Sequence, residues 1–439
     1  MTKKKTDISS SPDTNSSHGR RQKLGALFHN SEPNILLTAD EERQNVSSSS
    51  QSLHGNVSFP SPSDISPNTS PANYFMSPFY QTSPYSKSPW INSHVGDGSG
   101  TATGLIGSLV REEGHVYSLA SYGDLLYTGS DSKNIRVWKN FTAFSGFKSS
   151  SGLVKAIVVS GEKIFTGHQD GKIRVWKYSD SRRKAHKRFG SLPTVRDFIV
   201  TSMNPGNYVE VRRHRNVPWI KHYDVVACLS LDEKHGLLYS GSWDKTLKVW
   251  RLSDSKCLES INAHDDAVNS VVAGFDGLVF SGSADGSVKV WRRELVGKET
   301  KHMMVYTLLD QETAVTSVAV SGNDAVVYAG TSDGSVNFWE QRKHVMCHGG
   351  VIKGHKQAVL CLATAGSLLF SGSTDKTICV WRREVGGFHS YLSVLTGHSG
   401  PVKCLTIQEN QDDDEHGFRG WTLYSGSLDK SVKLWRVAE

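Results

Sequence analysis

The sequence contains no Cys-x-x-Cys pair. Its six cysteines are scattered: Cys228, Cys257, Cys347, Cys361, Cys379 and Cys404. Three of them, Cys228, Cys361 and Cys404, share one setting (VACL, VLCL, VKCL), each a residue before a Leu. That register predicts small apolar side chains in a buried strand, not a disulfide or zinc set. Also missing are G-x-x-x-x-G-K-[ST] and H-E-x-x-H, the signatures of a phosphate loop and a zinc-protease helix. No catalytic residue, cofactor or metal is predicted. No stretch reaches the ~18 apolar residues of a membrane span. The opening MTKKKTDISS is basic but has no apolar segment after it. Together these predict a soluble, intracellular protein that does not engage a membrane.

What is present is a repeat. SGSWDKTLKVW ends at Trp250, SGSADGSVKVW at Trp291, SGSTDKTICVW at Trp381 and SGSLDKSVKLW at Trp435. Looser copies end at Trp138 (GSDSKNIRVW), Trp176 (GHQDGKIRVW) and Trp339 (GTSDGSVNFW), which makes seven. A unit of four short alternating strands that returns every ~40–45 residues signals the blades of a β-propeller. One four-stranded sheet cannot bury both faces, so blades must stack and close a ring. The predicted fold class is all-β: a seven-bladed propeller over residues 101–439, with function on the surface of a disc. The chain stops four residues past Trp435, leaving blade seven one strand short. Residues 105–110 (LIGSLV) precede the first repeat and are expected to supply that outer strand, so that no sheet edge stays open.

Composition shifts near residue 100. Residues 1–100 hold 22 serines and 9 of the 13 prolines, with eight Lys and Arg balanced by eight Asp and Glu. Such a segment buries too little to offset its ordering entropy, so a disordered tail is expected. The chain's +7 charge then belongs to the propeller, an excess that requires neither nucleic acid nor lipid. The tail carries Ser-Pro at Ser11, Ser61, Ser66, Ser70, Ser77, Ser83 and Ser88. The last six are interleaved with Tyr74, Phe75, Phe79, Tyr80, Tyr85 and Trp90. They are phosphorylation candidates for proline-directed kinases.

Four blades hold His, Ser, Asp and Trp at matched spacing. The sets are His222, Ser240, Asp244, Trp250; His264, Ser281, Asp285, Trp291; His355, Ser371, Asp375, Trp381; and His398, Ser425, Asp429, Trp435. Ser, His and Asp could be read as a catalytic triad. A triad is needed once, however, and this set recurs in each blade. Its chemistry suits a buried relay: Asp accepts from His, His bonds the Ser hydroxyl, and Ser accepts from the indole N–H. Three blades depart. Blade one has Ser132 for Asp and Glu112 in the His slot; blade two has Ser150 for His beside Asp170; blade five has Gln311 for His and Ala329 for Ser beside Asp333.

The residue before each turn Asp is expected on one rim of the disc. This places Gln169, Trp243, Thr374 and Leu428 there as protein-binding candidates, Trp243 foremost because exposed Trp is enriched at binding hot spots. The repeat tryptophans are spaced by 38, 74, 41, 48, 42 and 54 residues. The longest gap contains RRKAHKR (182–188) and YVEVRRHRNVPWIKH (208–222); ENQDDDEHGFRG (409–420) is a smaller insertion. The basic run at 182–188 reads as a solvated loop, a nuclear-import element or an anion-binding patch. Aromatic interleaving that would stack bases is absent, so direct nucleic-acid binding is not expected.

The four-residue relay resembles the structural tetrad of the WD40 family. VYAGTSDGSVNFWEQR also resembles the DWD box, at Asp333, Trp339, Glu340 and Arg342. Through that box some WD40 proteins dock a cullin-based ubiquitin ligase adaptor, which would make the chain a substrate receptor. Three longer stretches, 108–140, 207–224 and 237–272, resemble the Jingubang group of plant WD40 proteins. That resemblance implies a non-enzymatic, cytoplasmic and nuclear regulator that restrains pollen germination and engages a transcription factor. A monomeric scaffold that binds a transcription factor or signalling protein is the expected function.

Overall fold

A computed structural model of the chain describes residues 103–110, 114–179, 185–212, 214–296, 299–409 and 420–438. The Ser/Pro-rich tail with its six phosphorylation candidates, Glu112, Arg182–184 of the basic run and most of the 409–420 insertion lie outside the described residues.

The described residues form a seven-bladed β-propeller: seven four-stranded antiparallel sheets and one two-stranded hairpin. Blade three shows the plan, with Val226–Asp232, Leu237–Ser242, Thr246–Arg251 and Cys257–Asn262 paired in that order. Inner strands of successive blades pack on one another, and Val402–Glu409 of blade seven packs on Val116–Tyr122 of blade one. Blade seven draws its outer strand from the other end of the domain: Gly104–Val110 pairs antiparallel with Ser431–Ala438, from Gly104 opposite Arg436 to Val110 opposite Ser431.

The register explains why the repeat reads as it does. In every blade the pairing of third and outer strands slips beside the repeat Trp, as between Val249 and Trp250 and between Val380 and Trp381. Blade seven has the same irregularity, between Leu105 and Gly107 opposite Trp435. The glycine of Ser-Gly-Ser is required by close approach. A Cβ at Gly241 would sit 2.6 Å from Cys228 Sγ and 2.7 Å from Val268 of the next blade. Gly372 meets Cys361 and Val402, and Gly426 meets Cys404 and Val116, in the same way. The three cysteines therefore act as small packing groups, and burial pushes the Cys228 and Cys361 thiols up to about 12.

A second periodicity spans two blades. The residue two before the Ser-Gly-Ser glycine is Tyr in odd blades (Tyr127, Tyr239, Tyr328, Tyr424) and Phe in even ones (Phe165, Phe280, Phe370). Three of the tyrosines reach the outer strand of the following even blade and meet a His. Tyr127 Oη lies 3.4 Å from His186, Tyr239 Oη 3.0 Å from His302 and Tyr328 Oη 2.9 Å from His389. The rings stand edge-on in all three pairs, at interplanar angles of 87°, 84° and 85°. With seven blades the alternation cannot continue around the ring, and Tyr424 bonds Gln408 of its own blade instead.

The long connection between blades two and three is structured. Part of the predicted basic loop is outer strand, Ala185–Leu192, with His186 buried. A solvated loop is thus ruled out for residues 185–188, because strand pairing places His186 against Tyr127 and Phe147. Then come a helix, Val195–Ser202, capped by Thr194 Oγ1 accepting from Asp197 N–H, and the hairpin Tyr208–Arg212 with Arg215–Pro218.

Candidate functional site

The four His-Ser-Asp-Trp sets close into hydrogen-bond relays. In blade three His222 Nδ1 donates to Asp244 (2.9 Å), Ser240 Oγ donates to His222 Nε2 (2.8 Å) and Trp250 Nε1 donates to Ser240 Oγ (2.9 Å). The indole-to-Ser distances are 2.9 Å at Trp291, 3.2 Å at Trp381 and 2.8 Å at Trp435. His264, His355 and His398 span Asp285 and Ser281, Asp375 and Ser371, and Asp429 and Ser425 respectively. Each carboxylate takes more than the His. Asp244 also accepts from Tyr223 N–H, Thr246 N–H and the Thr246 hydroxyl. This explains the Ser or Thr two residues after Asp244, Asp285, Asp375 and Asp429. The His222 partner and these donors hold Asp244 far below the usual carboxylate range despite its burial. Ser240, Ser281, Ser371 and Ser425 are all 0% exposed, so none can meet a substrate as a nucleophile.

Replacing Asp244 by Ala removes the acceptor for His222 and two backbone N–H groups. The expected cost is about 1–3 kcal/mol, seen as a lower urea midpoint at unchanged slope. Ser132→Ala in blade one should cost less, since the carboxylate of that turn is the neighbouring Asp131, which bonds His115 at 2.9 Å and is untouched by the change. An Asp244→Ala protein as stable as wild type would refute the relay as a stabilising device.

Blade two rebuilds its relay with different residues. Arg174, 2% exposed, donates to both carboxylate oxygens of Asp170 (2.6 and 3.0 Å) and to Ser150 Oγ (3.0 and 3.2 Å). Thr166 takes the Ser position, accepting from Trp176 Nε1 at 2.9 Å and contacting His168 Nε2 at 2.8 Å. Ser150 therefore accepts from the arginine rather than bridging as a histidine would. Burial and the Arg174 charge push His168 down to about 3. In blade one, Thr128 accepts from Trp138 at 3.2 Å and Ser132 bonds Ser130 at 2.8 Å. In blade five Asp333 accepts from Thr331 and Ser335. The string GTSDG at 330–334 has the spacing of a nucleophile elbow. It forms the turn of a β-hairpin, where an elbow needs a strand-to-helix turn.

A second feature recurs in all seven blades. The first and second strands skip one residue in their pairing, at Tyr117, Lys155, Ala227, Asn269, Thr316, Leu360 and Lys403. A bulge of this kind re-aims a side chain. These seven inner-strand residues form one level of the ring. Asn269 and Thr316 bond the carbonyls of Val315 and Val359 on the next blade. Lys155 instead holds its Nζ 4.3 Å from the Tyr117 ring centroid and 5.2 Å from that of Trp243. Burial, then the charge of Lys403, push Lys155 down to about 7. Tyr117, Lys155, Trp243 and Lys403 thus gather residues from blades one, two, three and seven.

Against known families, the WD40 description (WD domain, G-beta repeat) matches residues 106–139, 217–251, 255–292, 303–340, 347–382 and 389–436. The chain belongs to the WD40 family. The matched segments leave out blade two, the WD40 blade whose relay is built on Arg174. Zinc finger CCCH domain-containing protein 62 of Arabidopsis thaliana is 27% identical over 210 residues, 47% of this chain and 35% of that protein. WD repeat-containing protein pop1 of Schizosaccharomyces pombe is 30% identical over 197 residues, 39% of this chain and 25% of that protein. The WD40 chain spans a quarter to about a third of these relatives' length.

On the WD40 rim, Gln169 is exposed, while Trp243, Thr374 and Leu428 are half-buried. Trp243 and Leu428 are less open than the sequence suggested, Trp243 because Lys155 lies across its ring. Thr374 donates its hydroxyl to Ala358. In the DWD-like set, Asp333 and Arg342 are exposed near opposite ends of the strand Ser335–Arg342. Trp339 and Glu340 between them are buried, and Glu340 is held by Arg342 and Arg383. The sequence reading missed Lys155, because the bulge that turns it toward Trp243 is visible only once strands are paired.

Proposed function

We propose that this WD40 protein is a non-enzymatic interaction scaffold that holds a protein partner on the face marked by Tyr117, Lys155, Trp243 and Lys403. The observation that carries the reading is Lys155 Nζ set within cation–π distance of two half-buried aromatic rings. WD40 propellers are in general protein-binding scaffolds. A rigid ring adds little ordering cost on association, and the charge of a partner carboxylate would favour the protonated form of buried Lys155. The resemblance of stretches 108–140, 207–224 and 237–272 to the Jingubang group supports the finer reading. On that reading the protein is a monomeric plant regulator of cytoplasm and nucleus that engages a transcription factor or signalling protein and restrains pollen germination.

The test is Trp243→Ala. Partner recovery in affinity purification with mass spectrometry should fall about tenfold or more, the scale of losing an aromatic anchor. Far-UV circular dichroism and melting should stay close to wild type. If the melting temperature drops sharply while the refolded fraction binds normally, Trp243 is a packing residue and this face is wrong.

A further inference from the structure

Residues 182–222, which include the outer strand of blade two and the crossover to blade three, carry ten Lys and Arg against two Asp and Glu. Their net +8 exceeds the +7 of the whole chain. The net charge of the protein is therefore concentrated in this one stretch of sequence. The same segment exposes apolar surface. No residue of the helix Val195–Ser202 is buried. Val195 is 70% exposed, Val200 60% and Met203 76%, with Ile199 half exposed. Val195, Ile199 and Met203 follow at i, i+4 and i+8, one continuous stripe along a helix. Arg196 and Arg215 are exposed in the crossover, and Lys187 and Arg188 on the blade-two outer strand that leads into it.

The helix is held in place for presentation. Thr194 caps its start. Asn207 Nδ2 donates to Thr201 O at 3.1 Å, and Tyr208 Oη donates to Ser202 O at 3.2 Å. Little ordering cost would accompany docking.

We infer that the helix Val195–Ser202 is a docking knob for a partner protein that offers an apolar groove bordered by acidic side chains. Charge selects this occupant. A second copy of the chain would set one +8 segment against another, and like charges brought together oppose association. An anionic bilayer would match the charge, but helices that lie in the interface use long apolar faces with Trp, Phe or Leu. This helix has eight residues and carries Asp197 among them. Insertion into a groove needs only a short i, i+4 stripe, with basic neighbours meeting the acidic border.

The test uses the full chain and a defined probe: a phage-displayed library of random peptides about 16 residues long, panned at low salt. Enriched peptides should be acidic with apolar residues at helical spacing, and anisotropy titrations should show binding that weakens as salt rises. The double variant Ile199→Ser, Met203→Ser should bind the enriched peptide about tenfold or more weakly. It should melt like wild type, because both side chains are exposed. Trp243→Ala should bind it as wild type does, which separates this site from the face proposed above. Failure to enrich acidic peptides, or equal binding by the double variant, overturns the inference. So does sedimentation with phosphatidylserine vesicles that the double variant abolishes, which would assign the helix to a membrane.

Discussion

A chain lacking residues 1–111 should fail to form a stable propeller, whereas one lacking only residues 1–98 should melt within a degree or two of the full chain. The difference is the strand Gly104–Val110. It supplies the fourth strand of blade seven, and Leu109 is fully buried among Val116, Leu119, Trp138, Tyr424, Val432 and Leu434. That cluster joins the last blade to the first. Truncating Leu109 alone to Ala should cost about 2–5 kcal/mol. Removing the strand also uncovers Val432 and Leu434 and leaves the backbone of Ser431–Ala438 as an open edge, which invites association with other chains. The sum approaches the ~5–15 kcal/mol of a typical domain. Melting followed by circular dichroism, with size-exclusion chromatography for aggregation, decides the matter. Equal midpoints for the two truncations would show that blade seven closes without this strand. The shorter deletion leaves every described strand pairing intact, so it controls for loss of the tail.

What the sequence showed, and what it hid, follows from the range of the contacts. The seven-bladed fold was legible because each blade's second and third strands form a local hairpin, as from Leu237 to Arg251, and the pattern Ser-Gly-Ser-x-Asp-x-(Ser/Thr), complete in four blades, names its turn. Most of each relay was legible for the same reason, with Trp250 ten residues from Ser240. The rebuilt relay of blade two was not, because Arg174 sits where the pattern has a Lys and nothing local says its guanidinium turns inward to Asp170. The Tyr–His pairs join residues 59, 63 and 61 positions apart on neighbouring blades. Their signal, Tyr alternating with Phe from Tyr127 to Tyr424, was present in the sequence but spans two repeats instead of one. The exposed helix was the least legible. VRDFIVTS has the apolar spacing of a helix packed on a core, and only the fold shows its stripe facing solvent.

Acid should unfold this propeller through histidines before its carboxylates contribute. Burial holds His186 down to about 4, against Tyr127, Tyr178 and Phe147. Burial and the Arg383 charge hold His389 down to about 4, with Glu340 opposing. Burial and Arg174 hold His168 to about 3. An unfolded histidine titrates near 6.5. A folded value below that favours the neutral ring, so its stabilisation is complete above about pH 6.5 and is lost as pH falls toward the folded value. At about 1.4 kcal/mol per unit and per group, the three together should remove roughly 5–8 kcal/mol between pH 6.5 and 4.5, allowing for the partial exposure of His389. The depressed carboxylates Asp244, Asp285 and Asp429 act lower. Their contribution is present above about pH 4, the unfolded value, and is lost only as pH falls through their folded values. The histidine contribution to the urea midpoint should therefore be flat above about pH 7 and decline steeply from pH 6.5 to 4.5. His186→Gln with His389→Gln should remove about two thirds of what these three histidines contribute to that decline, because Gln keeps a polar group near Tyr127 and Tyr328 without a proton to gain. A decline that begins only below pH 4, or one that the double variant leaves unchanged, would assign acid sensitivity to the aspartates and not to the histidines on the outer strands.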